Sequence, residues 1–210
     1  EPPAIDRTIG QYLCAAGVRS FAIAETQKYG HVTYFWNGNN SEKFDADLED
    51  WVEIRSDDVP FETAPAMKAR EVCGVVVDSL RQRRHRFLRV NFANGAMVGH
   101  TAVREAVIAA VEALDLHVGR VLDAAVAAGY SVILTADHGN CDEMVDPVTG
   151  TPHTQHTLYP VPCLVLDEVP WNLSIGAGLD CIAPTVLALM GLPRPAAMQG
   201  HTLLLSVARN

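Results

Sequence analysis

The sequence predicts an α/β fold, a three-layer sandwich in which a mostly parallel sheet carries helices on both faces. Short segments rich in β-branched and aromatic residues alternate along the 210 residues with longer segments of helical periodicity. Such alternation is typical of parallel sheets, because the chain passes through a helix before it starts the next strand from the same end of the sheet. The hydrophobic fraction of 49% is sufficient to build the core that this architecture requires.

Five short, apolar segments have the composition of buried strands. They are residues 18–24, 31–36, 87–92, 130–135 and 161–166. The polar, turn-rich stretch between the second and third of them, residues 37–65, is expected to be an excursion from the sheet.

Three segments have helical periodicity. Apolar residues at steps of three and four from Val103 to Ala125 predict a long amphipathic helix, which Gly129 is placed to end. Shorter helices are predicted over residues 66–83 and 183–190, the second of them closed by Gly191.

Composition and charge narrow the class of protein. A formal charge of -9 argues against broad nucleic-acid binding, which needs a basic surface. The arginines from Arg81 to Arg89 are expected to form a solvated basic cluster at the C-terminal end of a helix, where cations are favourable, with phosphate binding as the alternative. Five scattered cysteines without a CxxC pair fit reduced thiols, and no apolar run approaches the roughly 18 residues of a membrane span. A cytoplasmic protein is therefore expected.

Two polar clusters lie between the last two predicted strands. Asp137 and His138 come directly after residues 130–135, where they offer an oxygen and a nitrogen ligand suited to Mn²⁺ or Zn²⁺. A simple turn is the alternative, since Asp and Gly are common turn residues. His153 and His156 follow in the next loop and either join this metal site or lie independently at the surface.

A third cluster follows the predicted strand 87–92. His100 lies there in a glycine-containing segment and could point into a site at the sheet edge. It could equally be a residue at the start of a helix, with Thr101 as the N-cap.

Taken together, these motifs resemble the cofactor-independent phosphoglycerate mutases of the alkaline-phosphatase-like superfamily. The segments that carry the resemblance are AETQKYGHVTYF (24–35), NFANGAMVGHT (91–101), TADHGNCDEM (135–144), PHTQHT (152–157), PVPC (160–163) and the closing stretch 183–193. The resemblance implies an isomerase of glycolysis that interconverts 3- and 2-phosphoglycerate through a phosphoserine, with two divalent metals, most often manganese; Zn²⁺, Co²⁺ and Mg²⁺ are the alternatives.

The resemblance also assigns roles to residues. Asp137 and His138 match the pair that holds the metal at the nucleophile, and His100 and His156 match ligands of the other metal. Lys28 matches the lysine that contacts the phosphoryl group and is therefore both the catalytic and the substrate-binding candidate.

The chain departs from the family pattern in two respects. Ala96 stands where the family has a metal-binding aspartate, four residues before His100. Residues 1–210 match only the C-terminal portion of the phosphatase-like domain, so the resemblance implies that the N-terminal half, with its nucleophilic serine and inserted substrate domain, is the missing partner. The chain alone is expected to be inactive. Two other functions stay open: a metal-dependent phosphohydrolase of the same superfamily, and an inactive fragment that acts only by binding.

Overall fold

The computed structural model describes residues 3–207 and divides the chain into two compact units. The first unit contains the chain up to Ala124 together with the segment His138–Tyr159, and the second contains Ala125–Asp137 and the chain from Pro160 onward. The first two and the last three residues of the predicted 1–210 region lie outside the described residues.

A parallel sheet lies at the centre of the first unit. Its strands are β1 (Ser20–Glu25), β2 (Glu49–Ile54) and β3 (Phe87–Val90), in the order β2-β1-β3. Every residue of β1 is buried, which its apolar sequence requires of a strand with a neighbour on each side. The parallel sheet with its helices confirms the predicted α/β class.

Five helices accompany this sheet. They are α1 (Ile9–Ala15), α2 (Thr26–Val32), α3 (Ala69–Gln82), α4 (Asn94–Gly99) and α5 (Arg104–Ala127). The predictions of α3 and α5 are confirmed, whereas α1, α2 and α4 were not predicted. Helix α5 continues from the first unit into the second.

Among the described residues, the second unit contains two antiparallel strand pairs and the last helix of the chain, besides the end of α5. These elements are β4 (Val132–Thr135) with β5 (Cys163–Leu166), β6 (Trp171–Leu173) with β7 (Leu204–Val207), and α6 (Ile182–Leu189). The helix α6 and the positions of β4 and β5 were predicted. Their antiparallel pairing was not, and it is consistent with the absence of a helix between them, because a parallel pair needs a crossover.

Gly129 ends α5 as predicted. Its φ of 76° is the left-handed conformation that glycine adopts at little cost. The N–H of Gly129 donates to the Val126 carbonyl and that of Tyr130 donates to the Ala125 carbonyl, which is the hydrogen-bond pattern of a Schellman motif.

Two predictions for residues 31–65 are wrong. Residues 31–36 form the end of α2 and a following turn, because the Thr33 hydroxyl and the Phe35 N–H both bond to carbonyls of the preceding helical turn. These local bonds override the β propensity of the segment. The stretch 37–65 also contains β2, which the sequence did not indicate because several of its residues are polar. Within the described sheet β2 pairs only with β1, and a strand at the edge of a sheet tolerates polar side chains.

The reading of Arg89 as part of a basic helix-end cluster is also wrong. Its side chain is 6% exposed, lies 3.5 Å from the buried Glu49 carboxylate and donates to the Val32 carbonyl at 2.6 Å. Arg81, by contrast, is exposed in the last turn of α3 and pairs with Asp78 at the surface. Within residues 3–207, no helix combines the length and apolar character needed to cross a membrane.

Candidate metal and phosphoryl site

Helix α4 ends directly before His100 in the first unit. Val98 packs against Ala106, Val107 and Ala110 of α5, which buries one side of the short helix. Since His100 is the residue that follows α4, this packing fixes the backbone from which its imidazole extends.

The structure brings three of the predicted ligands together in the first unit. The ring centroids of His138 and His156 lie 3.5 Å apart with an interplanar angle of 18°, and those of His100 and His156 lie 5.1 Å apart. The three residues come from separate positions in the sequence, so their proximity is produced by the tertiary fold.

Backbone carbonyls fix the tautomer of two of these rings. The Nδ1 of His100 lies 2.7 Å from the Thr154 carbonyl oxygen, and the Nδ1 of His138 lies 3.2 Å from the Gly139 carbonyl oxygen. A carbonyl can only accept, so Nδ1 carries the proton and the neutral ring has its lone pair on Nε2. Metal-binding histidines are usually oriented by this kind of hydrogen bond.

Asp137 lies in the second unit, where it follows β4 by two residues. Its side chain is exposed, and the peptide bond to His138 leads directly into the first unit. Its role as a ligand stays a prediction, as do those of the three histidines.

The donor set fits a divalent transition metal only after a change in ring orientation. Within residues 3–207, no group of three His, Cys, Asp or Glu side chains is arranged to hold an ion. The lone pairs of stacked rings lie in nearly parallel planes and do not converge, whereas the ligands of one ion must point their lone pairs at a common centre. Metal binding would therefore require a change in the side-chain torsions of His138 or His156, both of which are at least partly exposed.

A buried amide next to the histidines also favours a polar ligand there. Asn140 is 7% exposed, and neither its Oδ1 nor its Nδ2 meets a hydrogen-bond partner within the described residues. It lies against Gly99, where an added Cβ would approach the amide carbon to 2.8 Å. A buried unpaired amide costs about 1–3 kcal/mol, so a bound polar group would stabilise this position.

Cys141 is a poor candidate for a thiolate ligand. Its Sγ donates to the Gly95 carbonyl at 3.0 Å, and burial raises the pKa of the thiol, with the Asp142 charge adding to the effect. The thiol is therefore protonated at neutral pH.

Lys28 lies in α2, which begins directly after β1. Its side chain is half-buried, and its ammonium makes no hydrogen bond or ion pair with the other residues that the structure describes. The lysine therefore follows the carboxyl end of a central parallel strand, where α/β proteins bind ligands.

A polar cleft of about 360 Å³ lies beside this helix. Its lining residues are Thr26, Gln27, Glu53, Arg55, Ser56, Asp57 and Asp58. Two of the carboxylates are engaged within the fold: Glu53 accepts from the Thr26 hydroxyl at 2.7 Å, and Asp57 pairs with Lys68 at 2.7 Å. The acidic lining makes the cleft itself unsuited to a phosphate.

Sequence reasoning missed several residues that shape the two regions. Glu25 is 2% exposed and accepts from the Ser56 hydroxyl and the Lys68 N–H, which ties two loops to the end of β1. A glutamate that ends an apolar strand was a signal for such a buried acceptor. The contact of Asp142 with Thr157 joins residues 15 apart and had no signal in the sequence.

Comparison with known proteins places this geometry in a family context. Residues 1–194 match the sequence model of the Metalloenzyme superfamily. A 2,3-bisphosphoglycerate-independent phosphoglycerate mutase from Symbiobacterium thermophilum is 46% identical over 209 residues, which are 99% of this chain and 40% of that protein. One of the same name from Ectopseudomonas mendocina is 44% identical over 203 residues, 96% of this chain and 39% of that protein.

This chain is also similar to a solved structure. The crystal structure of Leishmania mexicana phosphoglycerate mutase at low cobalt concentration superimposes with a TM-score of 0.90 and 37% identity, covering 99% of this chain and 40% of that one. The resemblance drawn from the motifs is confirmed. The chain spans about 40% of the length of these relatives.

Proposed function

Because the chain belongs to the Metalloenzyme superfamily, we propose that it is the C-terminal, metal-binding part of a phosphoglycerate mutase that interconverts 3- and 2-phosphoglycerate. The observation that carries this proposal is the meeting of His100, His138 and His156 in the first unit, with two rings oriented by backbone carbonyls. The 46% identical relative that bears the name phosphoglycerate mutase supports it.

The proposed ligands are the three histidines together with Asp137, which is included because it adjoins His138 in the sequence. We propose two divalent ions, with Mn²⁺ preferred and Zn²⁺, Co²⁺ or Mg²⁺ as alternatives, because Mn²⁺ accepts the mixture of imidazole nitrogen and carboxylate oxygen that these ligands offer. Bound there, the cations would neutralise phosphoryl oxygens and lower the pKa of an attacking alcohol.

The protein's own groups have separate tasks. The Thr154 carbonyl holds the Nδ1 proton of His100 and so keeps the Nε2 lone pair available to a ligand. The Lys28 ammonium, a compact charge with three donors, is proposed to contact the phosphoryl group as it moves between hydroxyls. The five free cysteines are consistent with a reducing compartment, and we propose the cytoplasm.

Ala96 favours a second candidate, an inactive chain that only binds. It lies in α4 one turn before His100, where a methyl group offers no oxygen to a metal. Loss of an anionic ligand would weaken one of the two proposed metal positions, and the remaining three-fifths of the relatives' length would have to supply the nucleophile.

A chimeric enzyme tests the proposed function. The C-terminal 40% of the Symbiobacterium thermophilum relative would be replaced by this chain, and the product supplied with 3-phosphoglycerate and Mn²⁺ while 2-phosphoglycerate and free phosphate are measured. We expect 2-phosphoglycerate to form, with a higher rate in the Ala96→Asp chimera and none in the His156→Ala chimera.

The other outcomes select between the candidates. Free phosphate in place of 2-phosphoglycerate would identify a phosphohydrolase. A folded chimera that is inactive with either Ala96 or Asp at that position, beside an active parent enzyme, would contradict the proposal and favour a chain that only binds.

A further inference from the structure

The two loops that carry His138 and His156 are joined one residue beyond each histidine. Gly139 and Thr157 form an isolated antiparallel bridge in which the Thr157 N–H donates to the Gly139 carbonyl at 2.9 Å. The stacked rings are therefore direct neighbours of a backbone contact between their loops.

A side-chain contact reinforces this bridge. The Thr157 hydroxyl lies 2.9 Å and 2.8 Å from the two carboxylate oxygens of Asp142, to which it donates its proton. Thr157 is 8% exposed, so water competes poorly for its hydroxyl. A charged acceptor makes this a stronger hydrogen bond than one between neutral groups.

The absence of a side chain at Gly139 leaves room for this contact. A Cβ at this position would overlap both the Thr157 hydroxyl and the Asp142 carboxylate, whose Cγ it would approach to 3.0 Å. The close approach of the two loops thus depends on glycine at position 139. We call Gly139, Asp142 and Thr157 the latch.

The segment between the histidines has its own hydrogen bonds. The His153 N–H donates to the Met144 carbonyl and the Asp146 N–H donates to the Thr151 carbonyl, so this hairpin closes on itself. These bonds close the hairpin at Met144 and His153, whereas the Gly139–Thr157 bridge is the backbone contact directly beside His138 and His156.

We propose that the latch positions the imidazole rings of His138 and His156 for the proposed centre of two divalent metals, with Thr157 and Asp142 as positioning residues. This inference deepens the proposed function and rests on it for the metal. The juxtaposition of the two rings, in contrast, can be measured in the metal-free chain.

Removal of the Thr157 hydroxyl tests the proposal. Thr157→Val keeps the shape of the side chain and loses the donor, Thr157→Ser keeps the donor, and Thr149→Val removes a hydroxyl from the hairpin tip, where it bonds with Thr151 and Asp146. Each variant would be titrated with Co²⁺ alone and followed by visible absorption. Proton–nitrogen NMR of the histidine rings, recorded without metal, would report the stacking of His138 on His156.

We expect Thr157→Val to raise the Co²⁺ dissociation constant about 10- to 100-fold, the range typical of lost ligand-orienting contacts. It should also remove the ring-current shifts of the stacked pair, whereas the Ser variant and the hairpin-tip control should stay close to the original chain. Unchanged Co²⁺ affinity and unchanged ring signals in Thr157→Val would overturn the latch.

The two proposals fail in different ways. If the original chain is folded and takes up no Co²⁺, the proposed metal centre is wrong, while the ring signals still decide whether the latch holds the histidines together. If Co²⁺ binds equally to the original chain and to Thr157→Val, the metal centre stands and the positioning role is refuted.

Discussion

Replacement of Arg89 by methionine should destabilise the first unit strongly. The guanidinium is 6% exposed, donates to the Val32 carbonyl at 2.6 Å and lies 3.5 Å from the Glu49 carboxylate, which is 1% exposed. Arg89→Met would leave that carboxylate buried with the Phe44 N–H as its remaining donor. Breaking a buried ion pair from one side costs about 3–5 kcal/mol.

The geometry of the pair favours the lower end of this range. Nη1 and Nη2 of Arg89 meet no hydrogen-bond partner within the described residues, and burial lowers the pKa of Arg89 to about 10. The desolvation of the guanidinium is thus only partly offset. We expect a loss of about 3 kcal/mol at neutral pH.

The double variant Arg89→Met/Glu49→Gln is the matched control. A glutamine at position 49 keeps an acceptor for the Phe44 N–H and removes the unpaired charge, so most of the loss should be recovered. Urea unfolding followed by tryptophan fluorescence measures the free energy of unfolding of both variants. The Trp36 ring, whose centre lies 5.1 Å from the Arg89 guanidinium carbon, contributes to this signal. A loss below about 1 kcal/mol in the single variant, or no recovery in the double variant, would refute this account.

Three further predictions concern other parts of the chain. Gly74 is exposed within α3 and a Cβ there would meet nothing within 4 Å, so Gly74→Ala should stabilise the chain by about 1 kcal/mol in urea unfolding; destabilisation would contradict the helix. A hydrogen bond from His85 lowers the pKa of Asp50, so the contribution of this carboxylate to stability is present above the ordinary carboxyl pKa near 4 and is lost as the pH falls below it. The urea midpoint of Asp50→Asn should therefore depend less on pH in that acid range than the midpoint of the original chain. Burial raises the pKa of Cys14 to about 11, so iodoacetamide at pH 8 should label the exposed Cys163 first, as mass spectrometry of the digested chain would show; faster labelling of Cys14 would count against its burial.

The sequence was most informative where one local pattern determines the structure. Steps of three and four fixed α5, and Gly129 marked its end, because an amphipathic helix and a left-handed glycine are both read from neighbouring residues. The strand β2 was missed since its exposed edge carries polar residues that hide the period of two. Residues 31–36 were misassigned because hydrogen bonds within the α2 turn outweigh their β propensity.

The candidate site divides in the same way. Its histidines were found from motifs, which report residue types at short spacing. The stacking of His138 on His156, the buried amide of Asn140 and the contact between Asp142 and Thr157 depend on loops distant in sequence. Nothing in a single sequence specifies which residues of two loops will meet.

The uptake of Mn²⁺ by the metal-free chain tests the central claim most directly. The electron paramagnetic resonance signal of free Mn²⁺ would be recorded as protein is added, for the original chain, for His138→Ala and His156→Ala, and for His201→Ala, an exposed histidine of the second unit. We predict that the signal falls with the original chain and with His201→Ala, and that it falls far less with the other two variants. Equal uptake by all four folded proteins, or none by the original chain, would contradict a metal centre built on these histidines.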